Sequence, residues 1–353
     1  MSLFSRLFSS FSNDIGIDLG TANSLVYLRG KGIIINEPSV VALNQKTGQV
    51  VAVGKKAKEM LGRTPQHIKA IRPLVNGVIS DFEVTEEMLG YFLTKAQSGT
   101  RSLIGPRVVI GVPSGITNVE SRAVRDAARN AGAREVYIVE EAVAAAIGMR
   151  LPIHEPRATM IVDIGGGTTD IAVLSLNGIV RSRNLHVAGD RLNADIIRHL
   201  RDEFKIVIGE GTAEDLKFAI CSLLEQAKPF EAPVRGRDLV TGLPKEVSIT
   251  DEDIREAIAT SIDSIIEGIR NVLEESPPTV VADIMQQGIN LTGGGALIHG
   301  IPELLTSMLD LPVNVANDPL TSVVRGTGAI VEKLEDFNDI LIDEDALPTL
   351  ENS

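Results

Sequence analysis

The chain has 353 residues, 44% of them hydrophobic, and 32 glycines, enough apolar sequence for two domains or one large bilobed one rather than a disordered chain. Its formal net charge of −13 excludes a broad electrostatic footprint for nucleic acid, and no run reaches the roughly 20 apolar residues that span a bilayer. The single cysteine, Cys221, excludes an intramolecular disulfide and fits a reducing, cytoplasmic setting, while abundant glycine and only 3% aromatic residues favour a layered α/β protein.

In residues 1–12, Leu3, Phe4, Leu7, Phe8 and Phe11 form one stripe of a short helix, with Ser5, Arg6, Ser9, Ser10 and Ser12 opposite. Such a helix either lies in a membrane surface or docks on the body of the protein. DIGIDLGTANSLVYLRG then reads as an apolar strand ending in Asp18, a Gly/Thr turn and a second strand leaving at Gly30. IIINEPSVVAL and a hairpin around Lys46 to Gly48 follow, then a helix starting near Thr85. VVIGVP is a buried strand, and TNVESRAVRDAARNAG is a helix capped at Thr117 or Asn118 and stopped at Gly132. EVYIVEE is a strand, and it runs into the small-residue helix AVAAAIG.

TMIVDIGGGTTDIAVLSLNG repeats the first hairpin: a strand ending in Asp163, a Gly/Thr turn, a second strand and an exit at Gly178. AGDRLNADIIRHLRDEF and TAEDLKFAICSLLEQ read as helices, and VRGRDLVTGLPKEVSIT as a hairpin around Gly242. Thr250, followed by Asp251, Glu252 and Asp253, opens a long helix that Pro277 and Pro278 end. GINLTGGGALIHGIPELL is a third strand, glycine turn and helix, and the acidic residues 337–353 read as a solvated tail.

One hairpin used twice implies two related halves whose turns converge on a ligand. Glycine turns let backbone N–H groups approach phosphate without obstruction. Gly20 to Asn23 and Gly165 to Thr169 are therefore expected to hold a nucleoside triphosphate, ATP, between the halves, with the Gly293 to Ala296 turn lying against the nucleoside. Asp18 and Asp163 would be repelled by phosphates unless a cation intervened, and Mg²⁺ needs only one or two carboxylates besides phosphate and water. No Walker or dinucleotide-binding glycine pattern is present. Nor do the five histidines, His67, His154, His186, His199 and His299, have ligand spacing, and no nucleophile elbow can be read.

These hairpins, IDLGTAN and VDIGGGTTD, resemble those of the actin, heat-shock chaperone ATPase and sugar-kinase superfamily. Together with LGRTP, AIRPLVNGVISDFEVTEEML, VPSGITNVESRAV and LTGGGALIHGIPELL, they resemble the MreB family of bacterial actins from Asn13 to about Leu334. The resemblance implies an α/β, actin-like, duplicated RNase H-like fold with two lobes, four subdomains and a central nucleotide cleft. The lobes are expected at 13–149, with a small insert at 34–70, and at 150–336, with an insert at 186–252. It implies ATP contacts from Thr21, Ala22, Asn23, Gly166, Gly167, Thr168, Glu214, Asp215, Leu216, Lys217, Gly295, Ala296, Leu297 and Ile298. It also implies water activation by Glu141 assisted by Thr168. The family commonly has Glu-Pro where this chain has Glu141-Ala142, and Glu where it has Asp170.

The expected role is a slow ATPase coupled to turnover of a homopolymeric filament. That filament would lie on the inner face of the cytoplasmic membrane, anchored by the Leu/Phe stripe with Leu103 and Ile104, and guide cell-wall elongation and morphogenesis proteins. A sugar-type kinase or a chaperone-type ATPase is the alternative on the same fold.

Overall fold

Ile15, Ile17 and Leu19 alternate with Gly16 and Asp18 and are buried, so Ile15–Leu19 forms a strand that pairs antiparallel with Asn23–Leu28, Leu19 facing Ser24. The structure, a computed structural model, describes residues 13–98 and 105–342. Leu3, Phe4, Leu7, Phe8, Phe11, Leu103 and Ile104 lie outside the described residues. The chain divides into two units. The first runs to Pro156 and includes Leu174–Ile179 and the segment from Thr321; the second takes Arg157–Val173 and Val180–Leu320.

In the first unit a five-stranded sheet has the order Glu135–Glu140, Arg107–Val112, Ile15–Leu19, Asn23–Leu28, Gly32–Pro38. The first three strands are parallel and the last two join as antiparallel neighbours. The second unit has the order Gly178–Leu185, Thr169–Ser175, Thr159–Ile164, Ile289–Thr292, Val313–Val315. Taken from its other edge, this is the first order again: a central Asp-ended strand with its hairpin partner on one side and two parallel strands on the other. Each unit also carries a three-stranded antiparallel sheet. Val41–Asn44 pairs with Val50–Val53 and Ile68–Ile71, and Glu231–Asp238 pairs with Ile206–Val207 and Pro244–Thr250. The expected hairpin at Gly242 is present, with that glycine at φ +74°.

Helices cover the sheets with their apolar faces. Phe82–Gln97 places Met88, Leu89 and Phe92 against Ile15, Ile17 and Ile110, whereas Asp251–Glu274 places Ile258, Ile262 and Ile265 in the core around Met160, Val162 and Leu291. The first of these starts earlier than Thr85: Asp81 is its cap, accepting from Val84 N, and Thr85 Oγ1 donates to the Asp81 carbonyl. Thr117, not Asn118, caps the helix Asn118–Asn130, in a capping box with Glu120. Thr250 does the same with Asp253.

Four further features have physical causes, three of them differing from the sequence expectation. Pro277 and Pro278 separate two helices rather than simply ending one, because Pro278 occupies the first position of Pro278–Gln287, where no N–H is needed. The helix expected from Thr212 to Gln226 is Glu210–Ile220; beyond it Ser222 forms a β-bridge with His299. Ser322–Glu332 is a helix although SVVRGTGAIVE contains two glycines, because it crosses Glu141–Gly148 at backbone contact. A Cβ on Gly326 would lie 1.7 Å from the Ala144 carbonyl oxygen, and one on Gly148 would lie 1.9 Å from that of Ser322. Finally, the acidic stretch is not solvated from its start. Ile342 N donates to Ile138 O, Arg125 Nη2 donates to Ile342 O at 2.6 Å, and Ile342 packs on the first unit's core.

Among the described residues no helix is long and apolar enough to cross a membrane. Cys221 is buried, and that burial pushes its thiol up to about 11, which leaves it unreactive.

Candidate functional site

In the first unit Asp18 stands in register with Gly111 of the neighbouring parallel strand, and Gly111 with Val139 of the next. The carboxyl ends of these strands therefore lie side by side, where open α/β sheets bind ligands. Glu141 follows as the first residue of the helix Glu141–Gly148, not the last of its strand, with Glu140 in the cap position. Its Cγ lies 3.4 Å from where a Cβ on Gly111 would stand, so that glycine makes room for the acid beside the strand bearing Asp18. Ala142 occupies the next position, and an N–H there belongs to the first turn, whose amides lack intrahelical acceptors.

The turn after Asp18 is fixed from outside. Ser39 Oγ donates to the Gly20 carbonyl at 2.6 Å, Ser39 N donates to the Ala22 carbonyl at 3.0 Å, and Gly77 N donates to Thr21 Oγ1 at 2.9 Å. A Cβ on Gly20 would meet the Asn23 carbonyl oxygen at 2.6 Å, so the turn closes only with a bare α-carbon. Thr21 is buried, Ala22 half-buried and Asn23 exposed.

Burial raises the Asp18 carboxyl from 3.8 to about 7. The folded chain thus holds a proton that the unfolded chain releases between about pH 4 and pH 7, so this group's contribution to stability falls as pH rises through that window. Asp18→Asn should raise the melting temperature of the nucleotide-free protein at pH 7.5 by about 2–6 °C, the equivalent of 1–2 kcal/mol, and the gain should vanish near pH 4. A variant that melts lower at pH 7.5 would contradict a destabilising buried charge at Asp18.

In the second unit Asp163, 8% exposed, stands one residue before the end of its strand, in register with Thr292. Gly165 N donates to the Thr168 carbonyl at 2.9 Å and closes the turn, while Gly189 N and Asp190 N donate to the carbonyls of Gly165 and Gly166 at 3.2 and 2.8 Å. The start of the helix Gly189–Asp202 thereby fixes the turn containing Gly166, Gly167 and Thr168. The third glycine turn packs onto the same strand end. Gly293, at φ +81°, sits so close that a Cβ would fall 2.2 Å from Asp163 Oδ1, and one on Gly295 would fall 2.2 Å from Ile164 Cγ2.

Lys217 reaches the same place from the helix Glu210–Ile220, its Nζ donating to the Gly189 carbonyl at 3.0 Å. Glu214 lies one turn earlier and is half-buried; Asp215 is exposed, and Leu216 turns into the hydrophobic core with Ala213 and Ile220. Ala296 is buried, Ile298 packs on that core, and Leu297 is exposed. In this unit the structure brings together Asp163, Gly166 to Thr168, Gly295 and Lys217, and the side chain of Leu216 faces away from them.

Ser39, Gly111 and Gly189 escaped sequence reasoning. Gly189 alone had a legible signal, a glycine opening an otherwise amphipathic helix, which marks a close backbone approach. The other two depend on strand pairings that periodicity does not specify.

The residues present fit a Mg²⁺-nucleotide. Asp18 carries a carboxyl whose ionisation burial disfavours, the condition a cation relieves, and Asp163 is backed by bare glycine. Among the described residues no cluster of three or more His, Cys, Asp or Glu is placed to hold a metal by itself, so an ion here would take phosphate and water as its remaining ligands.

Two units of one topology, each with an aspartate ending the central strand before a Gly/Thr turn, define an actin-like, duplicated RNase H-like α/β protein. Residues 12–339 match the family described as MreB/Mbl protein. The cell shape-determining protein Mbl of Bacillus cereus is 47% identical over 326 residues, covering 92% of this chain and 97% of that protein. The cell shape-determining protein MreB of Escherichia coli K12 is 46% identical over 339 residues, 95% and 98% of the two chains. Among solved structures, MreB5 of Spiroplasma citri bound to ADP superposes with a TM-score of 0.87 at 39% identity, covering 92% of this chain and 97% of that one. The chain belongs to the MreB/Mbl family, actin-like cytoskeletal proteins that determine cell shape. The sugar-kinase and chaperone alternatives are not favoured.

Proposed function

We propose that the chain binds ATP with Mg²⁺ and assembles, under its control, into filaments on the inner face of the cytoplasmic membrane, where they organise cell-wall elongation. The observation that carries this reading is the duplicated strand end: Asp18 before Gly20–Thr21 in one unit and Asp163 before Gly165–Thr168 in the other. The amides and hydroxyls of Thr21 to Asn23 and of Gly166 to Thr168 hold phosphate oxygens. Glu214 to Lys217 and Gly295 to Ile298 take the nucleoside, the former by side chains of the first and last residues and the latter by backbone.

Asp18 and Asp163 hold the cation, whose chemistry is neutralisation of charge on the phosphates. Glu141, on the helix start beside Gly111, accepts a proton from the attacking water, and Thr168 orients it. Hydrolysis on this reading is slow and times filament turnover.

The N-terminal stripe Leu3, Phe4, Leu7, Phe8 and Phe11, with Leu103 and Ile104, anchors the polymer to lipid. A single Arg6 gives weak attraction for anionic headgroups, so binding depends on many copies in one filament. With Mg-ATP and lipid vesicles the chain should sediment as filaments visible by electron microscopy, and deletion of residues 2–11 should release them from vesicles without preventing assembly. ATP-dependent phosphorylation of a sugar, with no polymer at any concentration, would overturn the proposal.

A further inference from the structure

Phe218 is 75% exposed on the helix Glu210–Ile220, an unusual place for a large apolar ring. Its neighbour Lys217 is 9% exposed, and its Nζ lies 5.6 Å from the centre of the Phe218 ring, within cation–π range. The same ammonium donates to the Gly189 carbonyl, and Gly189 N donates in turn to the Gly165 carbonyl. The ring is thus linked through two residues of this unit to the glycine turn assigned to phosphate. It also follows Glu214 by four residues, which puts the two side chains on one face of the helix.

A ring joined through Lys217 and Gly189 to the glycine turn, and presented to solvent beside Glu214, has the chemistry to cover a nucleobase. We propose that Phe218 stacks on the base of the bound nucleotide and sets a preference for purines, with Lys217 holding the ring in place. The inference rests on the nucleotide reading above and adds a contact outside the residues assigned there. Aromatic faces stack on any base, but the larger purine surface gains more. Lys217 then serves two purposes, bonding to backbone beside the phosphate turn and orienting the ring.

The test uses a property of the composition: the chain has no tryptophan, so Phe218→Trp introduces a single indole reporter. Its fluorescence should be quenched by ATP and ADP, saturating at the concentration that calorimetry gives for binding, and should not change with inorganic tripolyphosphate. Phe218→Ala should weaken ATP binding about fivefold to tenfold, the effect of one aromatic–base stack. It should leave tripolyphosphate binding unchanged and narrow the preference for ATP over UTP, and Phe218→Trp should restore both.

A merely structural role would weaken ATP and tripolyphosphate alike. Unchanged ATP affinity in Phe218→Ala would overturn the inference while leaving the nucleotide site standing. So would an indole signal that tracks protein concentration and light scattering without nucleotide, since that marks a contact between copies of the chain. Failure of the unaltered protein to bind ATP overturns the nucleotide reading itself and this inference with it.

Discussion

Gly326→Ala should destabilise the first unit by at least about 3 kcal/mol, a large share of the 5–15 kcal/mol that holds most domains folded. The added methyl would fall 1.7 Å from the Ala144 carbonyl oxygen, with Ala144 C at 2.4 Å and Cα at 2.9 Å. Those atoms are helix backbone, so no rotamer change relieves the clash. The helices Glu141–Gly148 and Ser322–Glu332 must separate, exposing Ala144, Ala145, Val324 and Ile330, all of them buried. The control is Gly90→Ala in the helix Phe82–Gln97, where nothing lies within 4 Å of the new Cβ. That change should stabilise by roughly 0.5–1 kcal/mol, because alanine restricts the unfolded chain and favours helix. Urea denaturation of the two variants gives the comparison. Equal effects would mean that the helix crossing is not as close as described.

Glu141→Gln should lower ATP turnover roughly 10²–10⁴-fold, the usual contribution of a positioned general base, while nucleotide affinity changes little. Glutamine keeps the size of the side chain and so its packing beside Gly111, and it removes the basic oxygen. The effect should reach assembly in a specific way: filaments form with ATP as before but persist, because the step that times their turnover is lost. Phosphate release and light scattering followed in one sample separate the two. Unchanged phosphate release would remove Glu141 from the chemistry, and loss of nucleotide binding would make its role positional. Because Glu141 starts a helix adjoining the Gly326 crossing, residues distant along the chain also set where its carboxylate lies.

The elements that carry the site were legible because each is marked by local chemistry. Asp18 and Asp163 stand at the ends of apolar strands before glycine turns, and Thr117 and Thr250 are caps that announce helix starts. What the sequence concealed depends on contacts distant along the chain. The role of SVVRGTGAIVE was not legible: Gly326 permits a helix crossing at backbone contact and Gly328 lies where a Cβ would strike the Tyr27 ring. Pro278 reads as a stop and acts as a start, since the same missing N–H suits both. Leu216 sits between two polar residues in a motif of four, and only burial reveals that its side chain belongs to the core. The acidic residues 337–353 suggest a solvated tail, but Arg125 holds the Ile342 carbonyl.

The duplicated glycine turns are the centre of this reading, and calorimetric titration of Mg-ATP into the intact chain and into Gly166→Asp tests them most directly. The new carboxylate would stand at the turn that Asp190 N and Gly189 N fix, where it would repel a phosphate without disturbing a core. Saturable binding to the intact chain, with no detectable heat from a variant that melts normally, is the expected result. Equal affinity in the two, or no binding to either, would contradict a nucleotide site built on these turns.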